Sequence, residues 1–510
     1  MGSIPQISDW KVLAASKREA VAKKIPKQWR LSPSVLSNIS STSPISVLDI
    51  PRSCGLLSTQ ELTLTEDYDA TALVEAMAKG EIKSYDVTLA FCKRAAIAQQ
   101  LVNCCTEIMF DEALARAKEC DDYLEREGKT MGRLHGLPIS LKDSFNIKGV
   151  QTTIGYVSFI AHPPAASNSN LVDLLFKQGA VFYVKTNIPQ SMMTADSDNN
   201  VFGRTLNPNK LTLTAGGSTG GEGALLKLRG SPLGIATDIA GSIRIPSLCN
   251  GVLSFKPTAS RIPFGGKVPP GRLGSPSPIL PVIGPEGHSV RDLELFMKTA
   301  IDSDPWECDE HTLAVPWRRV EVPKRPLRFG LIRGDPKRPL HPPVERALHS
   351  AATALKEAGH SLVLLDEKIP SLWDTAILAW KFFLLDPKKT PVQYVNASGE
   401  PWVSSIKTAS FSSLAGWEAT MDELFDMNVE RSKILKVYHD LYVENQLDAI
   451  LMPGYQATAV PHDTYGLPIY TVLQNLLNVS APSYSGKIPL IWPSVPFRNP
   501  AVPPGIEAVG

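Results

Sequence analysis

Two serines, Ser218 and Ser242, stand in a stretch of the chain whose residue types suit nucleophilic chemistry. Eight glycines lie between Gly216 and Gly241, whereas the whole chain of 510 residues has 35. A serine hydroxyl becomes an effective nucleophile when a neighbouring base takes its proton. Glycine-rich stretches are typical of flexible linkers, of phosphate-binding loops, and of backbone that approaches another group closely.

The flanking residues disfavour a linker and a phosphate loop. A linker would be polar, but "GALLKLRGSPLGIATDI" (223–239) is rich in apolar residues, and no lysine completes the phosphate-loop pattern. The pentapeptide "GGSTG" (216–220) fits the G-x-S-x-G turn of α/β-hydrolases, in which Ser218 would be the nucleophile. The histidines available downstream for such a site are His360, His439 and His462. That turn must follow a buried strand, and the polar residues before it make this interpretation weak.

A longer pattern is more specific. The segment "GLPISLKD" (136–143) and residues 215–258 closely resemble the amidase signature family, as do residues 183–208 and 448–462. The resemblance runs from about residue 60 to about residue 480. The overall sequence pattern is most similar to fungal acetamidases, general amidases and fatty acid amide hydrolase-like members. It implies an α/β fold in which helices cover both faces of a large mixed β-sheet, with an N-terminal helical arm.

The resemblance also implies the site residues. The family uses a Ser–Ser–Lys triad, in which Lys142 matches the base, Ser218 the bridging serine and Ser242 the nucleophile. In the family a cis peptide bond precedes the middle serine. The implied catalytic residues are therefore Lys142, Ser218 and Ser242.

The same resemblance implies how a substrate is held. The family's oxyanion hole, which stabilises negative charge on a carbonyl oxygen, matches the backbone N–H groups of Ile239, Ala240, Gly241 and Ser242. Met192 matches a backbone position that lines the family's substrate site. The implied substrate-binding residues are Met192, Ser218, Ile239, Ala240, Gly241 and Ser242, and no metal or organic cofactor is implied.

The residue types agree with this chemistry. Lysine accepts a proton only when neutral, and at a pKa of about 10.4 roughly one lysine in 2,500 is neutral at pH 7. Lowering that pKa to about 7–8 takes ~3–5 kcal/mol of differential burial and hydrogen bonding. Lys142 follows the apolar run "PISL" (138–141), which predicts an interior position, and strand alternation places Asp143 on the opposite face. Ser218 can relay a proton because a hydroxyl both donates and accepts hydrogen bonds.

Residues near the motifs have mainly structural interpretations. Asp238 and Arg244 flank the second serine, and we predict an ion pair that fixes the turn. Thr219 and Thr237 are candidates for hydrogen bonds near the site, and Cys249 is predicted to be a small core residue. An apolar helical run carries aromatic side chains for which core packing is the first interpretation and a wall of the acyl pocket the second: Trp373, Trp380, Phe382 and Phe383.

Three departures from the family pattern stand out. Ala240 replaces a common glycine, which would be strained only if its φ were positive. Thr219 replaces a common serine and keeps the hydroxyl. After residues 470–482 the family usually continues with a further strand and a closing helix, but residues 481–510 form an atypical, Pro-rich tail. The loss of a core strand would expose a sheet edge, so a non-catalytic or weakly active remnant is one alternative.

Composition excludes several function classes. The 52 basic and 51 acidic residues give a net charge of +1, so nucleic acid and anionic membrane are not expected as partners. Seven cysteines without a C-x-x-C pair and nine histidines without an H-x-x-x-H pair indicate neither a disulfide framework nor a zinc site. The N-terminus lacks the apolar segment of a secretory signal, and no stretch of 18 apolar residues occurs, so we predict a cytoplasmic location without a membrane span.

The surrounding elements must position these residues. Residues 1–60 are predicted as a helical arm and connector, residues 61–480 as one catalytic domain, and residues 481–510 as the tail. Helices are predicted at 9–30 and 111–128, and residues 67–99 are predicted to form two helices, with Asp69 as a candidate N-cap. Short apolar runs predict strands at 137–143, 179–187, 232–238, 251–258, 327–333 and 360–367. Their alternation with helices predicts an α/β architecture around a largely buried sheet.

The function implied by the resemblance is hydrolysis of a small-molecule carboxamide to a carboxylate plus ammonia or an amine, through an acyl-enzyme. Besides the remnant, two enzyme alternatives are an amidotransferase subunit acting on glutamine attached to tRNA and an α/β-hydrolase-type esterase. The sequence does not name the substrate, and it leaves both a monomer and a homodimer open.

Overall fold

The computed structural model of this chain describes residues 9–321 and 323–483. A helical N-terminal part precedes a longer region in which helices and strands alternate. The helices are α1 (Trp10–Lys23), α2 (Pro33–Leu36), α3 (Ile50–Ser53), α4 (Thr59–Glu66), α5 (Ala70–Ala78), α6 (Ser84–Val102), α7 (Phe110–Glu127), α8 (Asn170–Lys177), α9 (Gly220–Lys227), α10 (Arg244–Asn250), α11 (Val290–Ile301), α12 (Pro342–Glu357), α13 (Leu372–Phe383), α14 (Thr390–Ser398), α15 (Met421–Glu444) and α16 (Ile469–Leu476). Short 3₁₀ helices lie at Lys27–Trp29, Val157–Ala161, Gln190–Met192, Pro305–Glu307, Ser404–Thr408 and Ser412–Leu414.

The strands form two sheets. They are β1 (Cys105–Ile108), β2 (Pro138–Lys142), β3 (Val181–Thr186), β4 (Leu233–Asp238), β5 (Leu253–Lys256), β6 (Val282–Gly287), β7 (Arg328–Leu331), β8 (Ser361–Leu364), β9 (Ala449–Leu451) and β10 (Ala481–Ser483). The larger sheet has the order β1-β3-β2-β4-β6-β5-β10, and the smaller the order β8-β7-β9. In the larger sheet β2 pairs in parallel with β3 and β4, and the other pairs are antiparallel. The predicted large mixed sheet flanked by helices is confirmed.

The structure differs from the predicted strands in two respects. The runs at 327–333 and 360–367 form β7 and β8, which belong to the smaller parallel sheet and not to the large one. In addition, no strand is predicted from the sequence at β1, β9, β10 or β6, the last of which lies between β4 and β5 in the large sheet. The β6 sequence "VIGPEG" contains a proline and two glycines, which ordinarily argue against a central strand.

The helix ends follow local chemistry. The Asp69 carboxylate accepts a hydrogen bond from the Ala72 N–H at 2.9 Å and caps α5, as predicted. Helix α7 ends at Gly128, whose φ of 64° suits glycine. The N-terminal arm is packed into the body of the protein, because Val21 and Trp29 belong to the same hydrophobic cluster as the buried residues of β2 and β3.

The central strands place two charged side chains at one edge of the sheet. Strands β2, β3, β4 and β6 are buried along their whole length, and helix α9 packs against β2 and β4. Leu141 pairs with Ile235 in the parallel β2–β4 ladder. The carboxyl ends of the two strands, at Lys142 and Asp238, therefore lie side by side. α/β sheets commonly bind ligands beyond the carboxyl ends of their strands.

The expected exposed sheet edge falls partly outside the described residues. Strand β10 pairs with β5 and forms one edge of the large sheet, with Ala481 opposite Lys256. Residues 484–510 of the Pro-rich tail lie beyond the described part of the chain. Across residues 9–321 and 323–483, none of the helices combines the length and the apolar character needed to cross a membrane.

Candidate active site

Lys142 lies at the end of β2 in the interior of the protein. Its side chain is 1% exposed. The Nζ atom lies 2.7 Å from Ser218 Oγ and 2.9 Å from Thr237 Oγ1. The structure therefore brings together Lys142 and Ser218, which are 76 residues apart in the chain, and adds Thr237, one of the two threonines considered from the sequence.

Burial changes the proton affinity of this lysine. Removal from water lowers the pKa of Lys142 to about 7, although the nearby carboxyl groups of Asp238 and Glu286 oppose the shift. At pH 7 a large fraction of Lys142 is then neutral and able to accept a proton. Asp143 does not hold the lysine in its charged form, because it faces away and pairs with Lys185 at 3.1 Å. The predicted alternation of Lys142 and Asp143 is confirmed.

The glycines around Ser218 allow close backbone approach. The peptide bond between Gly217 and Ser218 is cis. A Cβ atom on Gly217 would overlap the carbonyl oxygen of Thr194, and one on Gly221 would overlap the backbone of Asn187. Residues 215–226 are buried throughout. The stretch is thus a packed turn leading into α9 and not a linker.

The turn that carries Ser242 is held by the Asp238 carboxylate. Its two oxygens accept hydrogen bonds from the N–H groups of Gly241, at 2.9 Å, and Ile243, at 3.1 Å. Gly241 has a φ of 131°, and a Cβ atom there would overlap the Thr471 side chain. Ala240 is not among the residues with positive φ, so the strain considered for that position does not arise.

The pattern of backbone hydrogen bonds refines the expected oxyanion hole. The N–H of Gly241 was expected to face the substrate, but it is already paired with Asp238. The N–H groups of Ile239, Ala240 and Ser242 make no hydrogen bond to any described residue. Unpaired N–H groups in a largely buried turn are uncommon and call for a partner, such as water or a substrate oxygen.

The predicted ion pair between Asp238 and Arg244 is confirmed. The guanidinium donates to both carboxylate oxygens, with Nη2–Oδ1 at 2.9 Å and Nε–Oδ2 at 3.0 Å. Arg244 also donates to Asn475 Oδ1 at 2.7 Å. Burial would raise the pKa of Asp238, but the Arg244 charge and hydrogen bonds outweigh it and lower that pKa to about 2. The carboxylate stays charged and can hold the Ser242 turn over a wide pH range.

Replacing Arg244 by alanine should destabilise the protein strongly. The change leaves the Asp238 carboxylate buried without its main partner, and breaking a buried ion pair costs about 3–5 kcal/mol. We expect urea unfolding to show a loss of that size. The control is Arg291→Ala, because Arg291 makes a similar two-pronged contact with Asp69 but is 54% exposed, where ~1 kcal/mol or less is expected. Equal losses in both variants would contradict the structural role of Asp238–Arg244.

A cavity lies beside Ser242. Gly217, Met192, Ile239, Ala240 and Ser242 are among the residues that line it. Ser218 itself is 2% exposed and lies behind this surface. The empty space, open mouth included, amounts to about 360 Å³. The structure therefore brings Met192 and the Ser242 turn, for which the family resemblance implies a role in substrate binding, to one cavity next to Ser218.

Of the other residues considered from the sequence, one lines the cavity. The Thr219 hydroxyl is buried and makes no hydrogen bond to a described residue. Cys249 packs in a small apolar cluster with Tyr455 and Tyr465, which confirms its core role. Of the four aromatic side chains considered on α13, Trp380 lines the cavity.

The histidines of the esterase alternative are not near Ser218. Within the described residues the Ser218 hydroxyl is hydrogen-bonded to Lys142, and no histidine bonds to it. His360 accepts from the Leu327 N–H, His439 pairs with Asp440, and His462 pairs with the Leu211 carbonyl. This geometry does not support a Ser–His site at Ser218.

Two buried glutamates near the lysine were missed by the sequence reasoning. Glu222 on α9 accepts hydrogen bonds from Ser140 and, at 2.8 Å, from Thr186, and burial raises its pKa to about 7. Both carboxyl oxygens of Glu286 on β6 are buried without a partner among the described residues, and burial raises its pKa well above the usual range. Glutamates are rarely buried, and no local pattern marks these two.

Metal ligation has no evident site here. Among residues 9–321 and 323–483, no three His, Cys, Asp or Glu side chains come together in an arrangement that could hold a metal ion.

Thr471 is a further residue that the sequence did not single out. Its hydroxyl donates to the Ala240 carbonyl at 2.6 Å and braces the Ser242 turn from α16.

Comparison with known proteins places this chain in a family. The model of the amidase family matches residues 86–491. The chain belongs to the amidase family. It is 39% identical over 473 residues to an amidase of Gibberella moniliformis, covering 92% of this chain and 88% of that protein. It is 36% identical over 488 residues to an acetamidase of Aspergillus oryzae, covering 93% and 87%.

A solved structure supports the same assignment. A fatty acid amide hydrolase superposes on this amidase-family chain with a TM-score of 0.88 at 35% identity, covering 94% of this chain and 83% of that one. The resemblance inferred from the sequence motifs is confirmed, as is the α/β fold with its large mixed sheet. The chain is therefore an amidase-family hydrolase.

Proposed function

We propose that this amidase-family chain hydrolyses a small carboxamide to a carboxylate and ammonia or an amine through an acyl-enzyme on Ser242. One observation carries the proposal: a buried lysine with a pKa of about 7 is hydrogen-bonded to Ser218, next to a cavity lined by Ser242. A lysine that is neutral at pH 7 and in contact with a hydroxyl is a suitable general base for activating serine.

The first half of the reaction forms an ester. Neutral Lys142 accepts the proton of the Ser218 hydroxyl, and Ser218 accepts that of Ser242, whose Oγ bonds to the amide carbonyl carbon. The C–N bond then breaks, and the proton returns along the same path to the leaving nitrogen.

The second half of the reaction hydrolyses this ester. Water, deprotonated by the same relay, attacks the ester, releases the carboxylate and restores Ser242.

The unpaired backbone groups suit the charge that develops in this reaction. The tetrahedral intermediate carries a negative oxygen, which fixed N–H donors stabilise without reorganisation. We assign this role to the N–H groups of Ile239, Ala240 and Ser242, which have no hydrogen-bond partner among the described residues. Gly241 contributes through its backbone conformation, because its own N–H belongs to Asp238.

The relatives support an amide substrate, and the cavity supports one of modest size. The cavity beside Ser242 is lined mainly by apolar groups, including Met192, Ile239 and Ile245. The two relatives described above are named amidase and acetamidase, and the superposed structure is a fatty acid amide hydrolase. We propose that the substrate is a small, uncharged amide, and that no metal or organic cofactor takes part.

The proposal is tested with the purified chain and a panel of amides of rising acyl length. We expect release of the matching carboxylic acid and of ammonia or amine in equal amounts. In parallel, a fluorophosphonate probe should label the wild-type chain on Ser242, as located by mass spectrometry of the modified peptide. A chain that neither releases acid from any member of the panel nor reacts with the probe is a non-catalytic remnant, and the proposal fails.

A further inference from the structure

An aromatic side chain lines the cavity beside Ser242. Trp380 of α13 lines it together with Ala409, Pro468 and Ile245. Among the side chains that line it within the described residues, none is charged, and the polar ones are Thr194 and Ser242. Such a surface accepts an apolar group and rejects a charged one, because a buried charge without a partner is costly.

Trp380 is fixed in place. Its side chain is 6% exposed, and the indole N–H donates to the Ala409 carbonyl at 3.0 Å. The ring also packs edge-on against Phe411, with centroids 5.6 Å apart, and against Phe383, at 5.4 Å. A ring held by a hydrogen bond and two aromatic contacts cannot turn aside without losing all three, so it acts as a rigid wall.

The size of the cavity sets an upper limit on what this wall admits. Its empty space is about 360 Å³ with the open mouth included, so the enclosed part is smaller still. Ile239, Ala240 and Ser242, which carry the unpaired N–H groups, line the same space. A carbonyl carbon bound to Ser242 with its oxygen at these groups would therefore lie in the same cavity as the Trp380 side chain.

We propose that Trp380 determines the acyl specificity of this chain, by closing the cavity so that it accepts the short, uncharged acyl group of an amide and excludes longer chains. This inference rests on the proposed function and adds to it a single residue that sets the limit. The other aromatic side chains of α13 do not serve this purpose. Trp373 also packs against Phe411, at 5.1 Å, but it faces Arg338 and does not line the cavity.

The test uses primary amides of unbranched acids from acetamide to decanamide. In the wild-type chain kcat/KM should fall as the acyl chain lengthens. Trp380→Ala should raise the ratio of kcat/KM for decanamide to that for acetamide by about 10–100-fold, the range expected for a change in an apolar pocket. Trp373→Ala, the matched control on the same helix, should leave the ratio unchanged. An unchanged ratio in Trp380→Ala, or an equal rise in Trp373→Ala, would overturn the proposal.

A second series separates the acyl side from the amine side. With the acyl group held as acetyl and the amine lengthened, Trp380→Ala should have no selective effect. A selective gain for long amines would assign the cavity to the leaving group and refute the proposal. Trp380→Phe, which keeps an aromatic ring, guards against misfolding, and it should shift the acyl ratio less than alanine does.

Covalent labelling distinguishes failure of this inference from failure of the proposed function. Alkyl fluorophosphonates of increasing chain length report on the cavity without requiring amide turnover. If the wild-type chain reacts with short probes and Trp380→Ala gains reactivity toward long ones while no amide is cleaved, the wall is confirmed and the proposed reaction is wrong. If amides are cleaved without regard to length in both variants, the reaction stands and the wall is wrong.

Discussion

Ser242→Ala should lower kcat/KM for every amide substrate by about 10⁴–10⁶-fold, the loss seen when the nucleophile of a serine hydrolase is removed. The expected cause is the absence of the oxygen atom that forms the acyl-enzyme, so covalent labelling by a fluorophosphonate should disappear as well. Steady-state kinetics and mass spectrometry of the labelled protein measure the two effects. The fold should be retained, because the turn is held by Asp238 and Thr471 through the backbone and not through the Ser242 hydroxyl.

Ser254→Ala is the matched control for loss of a buried hydroxyl. Ser254 lies on β5, and its hydroxyl makes no hydrogen bond to a described residue. Its removal should change neither turnover nor labelling. Full activity or undiminished labelling in Ser242→Ala would show that another residue is the nucleophile.

Lys142→Met should lower kcat/KM by about 10³–10⁴-fold and should also remove the acidic limb of the pH profile. In the wild-type chain the base works only when Lys142 is neutral, so kcat/KM should rise with pH to a plateau above its pKa of about 7. Below that pKa the rate should fall about tenfold per pH unit. Methionine is of similar length but accepts no proton, so the residual rate should no longer show this limb.

Although Lys142→Met should lower activity, it should raise the stability of the folded protein at pH 7. A lysine whose pKa is lowered by folding binds fewer protons in the folded state than in the unfolded state, so stability rises with pH between about 7 and 10.4. The cost of burying Lys142 is thus largest at and below pH 7. Lys142→Met should therefore melt at a higher temperature than the wild-type chain at pH 7, and the difference should shrink toward pH 10.

Lys256→Met is a demanding control for this prediction. Burial also lowers the pKa of Lys256 to about 7, but its Nζ donates to the Pro257 carbonyl at 3.0 Å and makes no hydrogen bond to a serine of the described residues. A similar gain in melting temperature at pH 7 is expected, with the acidic limb of kcat/KM retained. If the limb disappeared in Lys256→Met and persisted in Lys142→Met, the assignment of the general base would be refuted.

The residues of the candidate site were predictable because they lie in two long local motifs. One motif has Lys142 at the end of an apolar strand, and the other has the two serines among glycines. The residue pattern within each motif is specific enough to indicate the family. The structure brings Lys142 to Thr237 because parallel strands β2 and β4 end side by side, and to Ser218 because helix α9, which begins just after Ser218, packs against β2. Helix ends were predictable for the same local reason, as the N-cap at Asp69 shows.

The walls of the cavity and part of the sheet were not predictable in this way. Trp380, Ala409 and Pro468 reach the cavity from segments far apart in the chain. A wall of the pocket was the second interpretation for Trp380, but no local pattern distinguishes it from the other three aromatic side chains of its run, and none marks Ala409 or Pro468. Strand β6 contains a proline, so its place at the centre of the sheet depends on pairing with β4 and β5 and not on its own propensity. The pairing of the Gly241 N–H with Asp238 depends on side-chain geometry, which spacing alone does not show.

The tight packing at the glycines has a consequence for reading mutational data on this protein. Gly217, Gly221 and Gly241 contact neighbouring backbone or side-chain atoms so closely that even a methyl group has no room. A saturation screen scored by activity would record nearly every substitution at these positions as inactive, just as at Ser242. Abundance would separate the two groups: inactive Ser242 variants should accumulate to normal levels in the cell, whereas variants of the glycines should be depleted. Intolerance to substitution at these glycines therefore reports the shape of the backbone, and it would appear even in a relative that had lost its chemistry.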